Sequence, residues 1–477
     1  MRPFDLAVIL AYLAGVTWFG AHFRKSQRSL KDYFLGGRTA PWWAIALSIV
    51  SAETSTLTII GTPPLAYAGS YVFLQIVLGY LLARIVISVV FLPQYFQGQL
   101  YTAYELMERR FGTRARKTTS AIFLVTRSLA EGVRVFAISI VISIVLHTGG
   151  IASILVIVVL TLFYTFEGGM TAVIWTDVVQ MGMYVVGAAV SFFVLLGKIP
   201  GGFGEVLAVA GPAGKFQVFD FHWSWTYPYT FWAGIVGGCF LTTASHGTDQ
   251  LVVQRLLSAR SQRQSTLALL SSWLVIFVQF SLFLTIGVLL WVYRHGQQFP
   301  SDQLDRLYPS FIWESLPTGI AGLAMAAIIA AAMANLSAAL NSLASATVFD
   351  FYRPLTSSRH DAAHYLKVSR HATIVWGAVL AAVGLVASRW GSVLVSGLSI
   401  ASVTLGILLG VFLLGVLTKR PGENAAITGV VAGAAVMLFV KFATTIPFTW
   451  WVLIGSAATF GAGYLASFVM PERSRAA

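Results

Sequence analysis

Apolar runs long enough to cross a bilayer follow one another along the whole chain, separated by short polar connections, and they predict an all-α membrane protein. Dividing the runs at their connections gives about thirteen candidate spans, at 4–21, 42–69, 71–95, 118–146, 150–166, 171–197, 229–257, 268–293, 316–347, 369–388, 391–417, 424–442 and 447–470. No connection is long enough to fold as a separate soluble domain. Trp42 and Trp43, Trp223 and Trp225, and Trp450 and Trp451 fall at span ends, where indole rings anchor helices in the membrane interface. The first run follows a Met-Arg start but lacks a small-residue cleavage site, so it reads as a retained helix, not a signal peptide.

Composition sharpens this picture. Of 477 residues 57% are hydrophobic and only 10% charged, which excludes a soluble globular domain and a disordered chain. A single cysteine, Cys239, excludes a disulfide-stapled fold. The net charge of +13 would suggest a nucleic-acid partner in a soluble protein. Here, with the N-terminus placed outside, 21 of the 31 basic residues fall in connections on the inner side, among them Arg109, Arg110, Arg114, Arg116 and Lys117. Seven fall outside, and three, Arg84, Arg127 and Arg134, lie within spans. That bias is the positive-inside rule; it places the C-terminus inside and explains the charge without nucleic acid.

Two spans carry polar centres. The second holds Ser51-Ala-Glu-Thr-Ser-Thr56 near its midpoint, with the Glu53 carboxylate at bilayer depth, where such a group must face a cavity or a partner. Small and hydroxylated residues there suit a discontinuous helix whose unwound carbonyls coordinate a cation. The competing account is an intact helix with back-bonded Ser and Thr and a buried ion pair. The seventh span has the same character around Thr242, Thr243, Ser245 and His246, and it lies five helices after the second. Interrupted spans at corresponding places in two five-helix halves point to inverted repeats with a site between them.

The fourth span places Arg127, Glu131 and Arg134 on one helical face. One arginine can pair with Glu131, leaving the other for Glu53 or a ligand. An unpaired guanidinium favours an anionic substrate, whereas neutralisation by Glu53 favours a sugar, polyol or zwitterion. A purely structural ion-pair network is the third possibility.

These residues resemble the sodium:solute symporter family over nearly the whole chain. The similarity rests on Lys31-Asp-Tyr-Phe-Leu-Gly-Gly-Arg38, Gly61-Thr-Pro63 with Tyr67, Thr102-Ala-Tyr-Glu-Leu-Met-Glu-Arg-Arg-Phe-Gly112, Glu167-Gly-Gly169 with the stretch from Ala172 to Gln180, Asp249-Gln250 with Gln254-Arg255, and Leu340-Asn-Ser342. The resemblance implies a LeuT-type fold with inverted five-helix repeats and sodium-driven alternating access. The divisions would be 1–40 for a leading helix and basic loop, 41–197 for the first repeat, 198–228 for an outer loop, 229–417 for the second repeat, and 418–477 for two trailing helices and a short tail.

The same resemblance implies the site. A sodium ion would take carbonyls at Ser51, Thr54 and Ala331, and two hydroxyl positions that fall on Ala334 and Asn335. Ala334 departs from the pattern, having no side-chain oxygen, whereas the Asn335 amide oxygen is a hard ligand that can stand in for a hydroxyl. A second sodium site, present in some members, maps onto Asp177 and Ser337, with Asp177 equally placed to cap its helix or pair with a basic residue. Substrate-lining positions map onto Glu53, Ser55, Thr58, Gln75, Thr242, Ser245 and His246, joined by Arg134 from the charged face of the fourth span. The expected activity is sodium-coupled symport of a small polar solute, a sugar, sugar acid or carboxylate, in a lipid bilayer with sodium as coupling ion and no organic cofactor. A monomer is compatible with the sequence, and the absence of targeting signals points to a bacterial inner membrane.

Three rivals remain. A proton carrier of the same fold would use Glu53 or Asp177. A membrane-embedded enzyme would need a catalytic or metal constellation: His360-Asp-Ala-Ala-His364 has helical histidine spacing but lies in a loop without further ligands, and His246 with Asp249 forms at best an isolated acid/base pair. A pump driven by ATP has no nucleotide loop.

Overall fold

The structure, a computed structural model, describes residues 2–22, 38–97, 103–164, 170–352, 355–356 and 362–470. Lys31 to Gly37, Thr102, Glu167-Gly-Gly169, His360 and the basic tail after Met470 lie outside the described residues. The described residues contain helices and connections but no strand, as expected of bilayer-length apolar segments when lipid offers no partner for a free backbone amide.

The leading helix is α1 (Pro3–His22). The bent pair α2 (Trp42–Glu53) and α3 (Thr56–Ala68) follows, then α4 (Tyr71–Phe96) and the short amphipathic α5 (Ala103–Arg110). α6 (Thr113–Leu146), α7 (Gly150–Tyr164) and α8 (Met170–Gly197) complete the first half. After a short α9 (Gly202–Ala210) come the second interrupted pair, α10 (Phe231–Gly247) and α11 (Gln250–Leu257), then α12 (Gln262–Tyr293), α13 (Leu307–Ser315), α14 (Ile320–Ala346), α15 (Ala362–Ala387) and α16 (Val393–Leu417). α17 (Glu423–Ala443) and α18 (Phe448–Val469) close the chain. Nine helices among the described residues are long and apolar enough to cross a membrane alone, and α2 with α3 passes the same test as a pair bent by 67°. The protein is therefore an integral membrane protein.

The bent pair and the second interrupted pair pack against α4, α6, α12, α14 and α16, and α18 packs on α10. Between α4 and α10 the packing depends on glycine. Gly234 and Gly238 are four apart on one face of α10, and a β-carbon on Gly79 of α4 would lie 2.6 Å from the Ile235 carbonyl. A β-carbon on Gly238 would strike the Ile76 carbonyl. Absent side chains let the two backbones touch, which is how helices gain contact in a solvent as apolar as their own side chains.

Acidic side chains tie helix starts to distant elements. Asp5 of α1 accepts from Gly319 N at 2.6 Å and Gly322 N at 2.8 Å, ahead of and within the first turn of α14. Glu423 of α17 accepts from Arg114 N at 2.6 Å and Ala115 N at 3.2 Å in the first turn of α6. Asp305 accepts from Val393 N at 2.9 Å at the start of α16. Each satisfies amides that have no partner within their own helix, at the positive end of its dipole.

Candidate functional site

The two interruptions arise from the same sequence cause. At the first, Thr54 leaves the helical region, Ser55 is extended, and both bear hydroxyls, which draw backbone bonds away from the helical ladder. Ser55 N donates to the Glu53 carbonyl at 3.0 Å, not to Ser51, and Thr58 N donates to the Ser55 carbonyl at 2.9 Å, not to Thr54. The carbonyls of Ser51 and Thr54 thereby lose the amides an unbroken helix would give them, and among the described residues no other donor replaces those amides. At the second, Tyr95 OH donates to the Gly247 carbonyl at 2.5 Å, and Asp249 caps α11 by accepting from Leu251 N at 2.8 Å. The Gly247 carbonyl at the second break thus has a donor, whereas the Ser245 and Thr248 carbonyls receive no backbone amide among the described residues. The first presents two carbonyl oxygens without a donor among the described residues, groups that suit a cation site.

Both breaks border one cavity of about 210 Å³. Glu53, Ser55 and Thr58 line it from α2 and α3, Arg127 and Arg134 from α6, Thr242, Ser245 and His246 from α10, and Asn335 from α14. Phe73, Leu394 and Leu398 add apolar wall. Seven of the eight substrate positions expected from the sequence are thus gathered. The eighth, Gln75, is fully buried away from this cavity: its amide donates to the Tyr229 carbonyl at 2.9 Å and its oxygen accepts from Asp220 N at 3.0 Å, holding the connection before α10.

The charges pair in a way the sequence left open. Glu53 is held by Arg84 of α4, whose Nη2 lies 2.6 Å from Oε2, and by His246 Nε2 at 3.2 Å from the same oxygen. His246 faces Ser245 through Nδ1 at 2.9 Å, so it does not form a pair with Asp249. Arg127 and Arg134 both contact Glu131, Arg127 at 3.1 Å, and Arg127 also approaches Asp249 at 3.9 Å. Arg134 is the more open of the two, and the buried Nε of each has no hydrogen-bond partner among the described residues. Asp177 pairs with Arg255 at 2.9 Å and accepts from Ser48 at 2.5 Å. Four carboxylates, Glu53, Glu131, Asp177 and Asp249, face four arginines, Arg84, Arg127, Arg134 and Arg255, so the formal charges around the cavity cancel.

A smaller void next to the first break joins Ser55, Thr56, Arg134 and Asn335, and brings the α14 position expected to ligate sodium to the start of α3. Thr54 Oγ1 is engaged by the Gln279 amide at 2.9 Å, leaving its carbonyl as the group available to a cation. Ala331 is buried one helical turn before Asn335, and Ala334 is partly buried beside it. Ser337 is buried, and Asp177 makes its contacts to Ser48 and Arg255 instead. Arg84 is the residue that sequence reading noticed only as a charge within a span; its signal was a cation at bilayer depth, which requires a partner.

A bent helix pair offering free carbonyls, set against a charge-balanced polar cavity at the centre of a helical membrane bundle, defines a secondary active transporter. The family model of the sodium:solute symporter family matches residues 33–433, and the chain belongs to that family. The sodium/sialic acid symporter SiaT of Proteus mirabilis (strain HI4320) is 30% identical over 475 residues, covering 97% of this chain and 94% of that protein. The sodium/sialic acid symporter NanT of Aliivibrio fischeri (strain ATCC 700601 / ES114) is 29% identical over 468 residues, covering 96% and 92%. The human sodium/iodide cotransporter is 29% identical over 451 residues, covering 92% of this chain and 69% of that protein. The solved substrate-bound outward-open state of a Na⁺-coupled sialic acid symporter superposes with a TM-score of 0.84 at 28% identity, covering 98% of this chain and 99% of that one. Mhp1, a nucleobase-cation-symport-1 family transporter, shares the fold alone, with a TM-score of 0.57 at 14% identity.

Proposed function

We propose that this transporter couples one sodium ion, held at the first helix break, to the uptake of a monocarboxylate of the sugar-acid type. The observation that carries the reading is the balance of charge around the cavity. A sodium ion at Ser51, Thr54, Ala331 and Asn335 adds one positive charge to a neutral site. A monocarboxylate on Arg134, flanked by Ser55 and Thr58, restores neutrality. Sodium and substrate then bind together more readily than either alone. Sialic acid, named for SiaT and NanT, is such an acid. A second sodium at Asp177 and Ser337 would have to displace Arg255 from its ion pair, which favours a single coupling ion.

Thirteen crossings with the N-terminus outside, two inverted repeats at 41–197 and 229–417, and a bacterial inner membrane complete the proposal. The test is thermal unfolding of the detergent-purified protein in sodium chloride against choline chloride at equal ionic strength, with and without N-acetylneuraminate. A ligand that binds only the folded state adds RT ln(1 + [L]/Kd), about 2.7 kcal/mol at a hundredfold excess. A sodium-specific rise, enlarged by the acid, is expected. Transport into proteoliposomes that follows a pH gradient and ignores sodium would replace the reading with proton coupling through Glu53 or Asp177.

A further inference from the structure

We propose that Arg84 is a positioning residue that makes Glu53 a charge-compensated hydrogen-bond acceptor, and that the pair selects hydroxylated carboxylic acids over plain ones of equal charge. The proposal rests on the carboxylate reading above and names the group that recognises the other end of the substrate.

Arg84 is completely buried, and its guanidinium is fixed on three sides. Nε donates to Ser272 Oγ at 3.1 Å, Nη1 to the Tyr80 carbonyl at 3.3 Å and Nη2 to Glu53 Oε2 at 2.6 Å. His246 Nε2 approaches the same oxygen at 3.2 Å, so both protein partners of Glu53 converge on Oε2. Oε1 accepts from no group among the described residues, while Glu53 lines the cavity. A lone carboxylate at bilayer depth would demand a cation from the substrate. With a guanidinium directly behind it the pair is neutral, and Oε1 is a strong acceptor that asks for an uncharged O–H or N–H. Thr242 and Ser245 stand on the same wall and extend this polar end. Arg134 on α6 is the candidate for the carboxylate. A ligand that satisfies both has an acid group at one end and hydroxyls at the other. A plain acid of the same size leaves Oε1 without a donor once water is displaced, and sites built around a substrate hydroxyl reject analogues lacking it strongly.

The experiment is calorimetric titration of the purified wild-type protein in sodium with glucuronate, N-acetylneuraminate and cyclohexanecarboxylate, repeated on Glu53→Ala, Glu53→Gln, Arg84→Met and the Glu53→Gln/Arg84→Met double variant. Wild type is expected to prefer the hydroxylated acids by about tenfold or more. Glu53→Ala is expected to bring that ratio close to unity. Arg84→Met is expected to weaken every acid, because the uncompensated Glu53 repels a carboxylate, and the double variant is expected to regain the affinity of Glu53→Gln. A double variant as weak as Arg84→Met would show that Arg84 merely supports packing, and an unchanged ratio in Glu53→Ala would remove Glu53 from recognition; either result overturns the inference. If Arg84→Met does not fold, the Glu53→Ala ratio decides alone. A wild-type protein that binds none of the three acids in sodium overturns the functional reading itself, whereas binding with no preference for hydroxyls overturns only this inference.

Discussion

Arg127 and Arg134 divide one carboxylate between them, and that sharing fixes what each can do. Glu131 is fully buried, Arg127 is further occupied by Asp249, and Arg134 is the more exposed of the two at the cavity wall. Arg134→Ala is therefore expected to abolish uptake while leaving membrane insertion intact, measured as substrate accumulation per unit of folded protein. Sodium binding can be tested in the opposite direction. Ala334→Ser restores a hydroxyl to the one expected ligand position that lacks a side-chain oxygen, and it is expected to lower the half-saturating sodium concentration for uptake several-fold, since hard oxygen ligands add directly to cation affinity. An unchanged sodium dependence would place the ion elsewhere. The polar centres of both broken helices were legible because a hydroxyl or carboxylate inside an apolar run is a local anomaly. The Arg84–Glu53 pair was not: its members are 31 positions apart on different helices, and no local pattern says which buried charge meets which.

Helices in this bundle are joined by contacts that give specific, testable stability effects. Gly238→Ala puts a β-carbon against the Ile76 carbonyl, where only backbone movement can relieve it. Overpacking of this kind costs about 1–3 kcal/mol, so a lowered unfolding temperature in detergent is expected without loss of sodium specificity. At the start of α16, burial pushes the Asp305 carboxyl up from 3.8 to about 6, against the opposing pull of its bond from Val393 N. Between those two values the folded protein keeps a proton that the unfolded chain has released. This group's contribution to stability therefore falls as pH rises from about 4 to about 6. Asp305→Asn is expected to flatten the unfolding temperature across that window; a slope equal to wild type would assign the dependence to other groups. Helix existence followed from apolar periodicity and length. The caps from Asp5, Glu423 and Asp305 did not, because each acts on a helix at least 88 positions away.

Across the whole molecule the consequence of a neutral cavity is coupling. If sodium tightens the acid by some factor, the acid must tighten sodium by the same factor, since the two binding free energies are linked. Titrations of acid at several sodium concentrations, and of sodium at several acid concentrations, are expected to return equal factors. Independent binding would mean that the two charges do not meet in one site. The proposed coupling ion sits at the first break, where the Ser51 and Thr54 carbonyls have no donor among the described residues.

The sequence by itself determined the membrane class, the helical content, the polar interruptions and the family, because each is written in local composition, in periodicity or in motifs a few residues long. Tertiary structure decided the partners: Glu53 with Arg84 and His246, both α6 arginines with Glu131, Asp177 with Arg255, and Gln75 turned away from the cavity to hold the connection before α10. The physical reason is that a buried charge must be compensated by whatever the fold brings within a few ångströms, and that neighbour is set by how helices pack, not by their order along the chain.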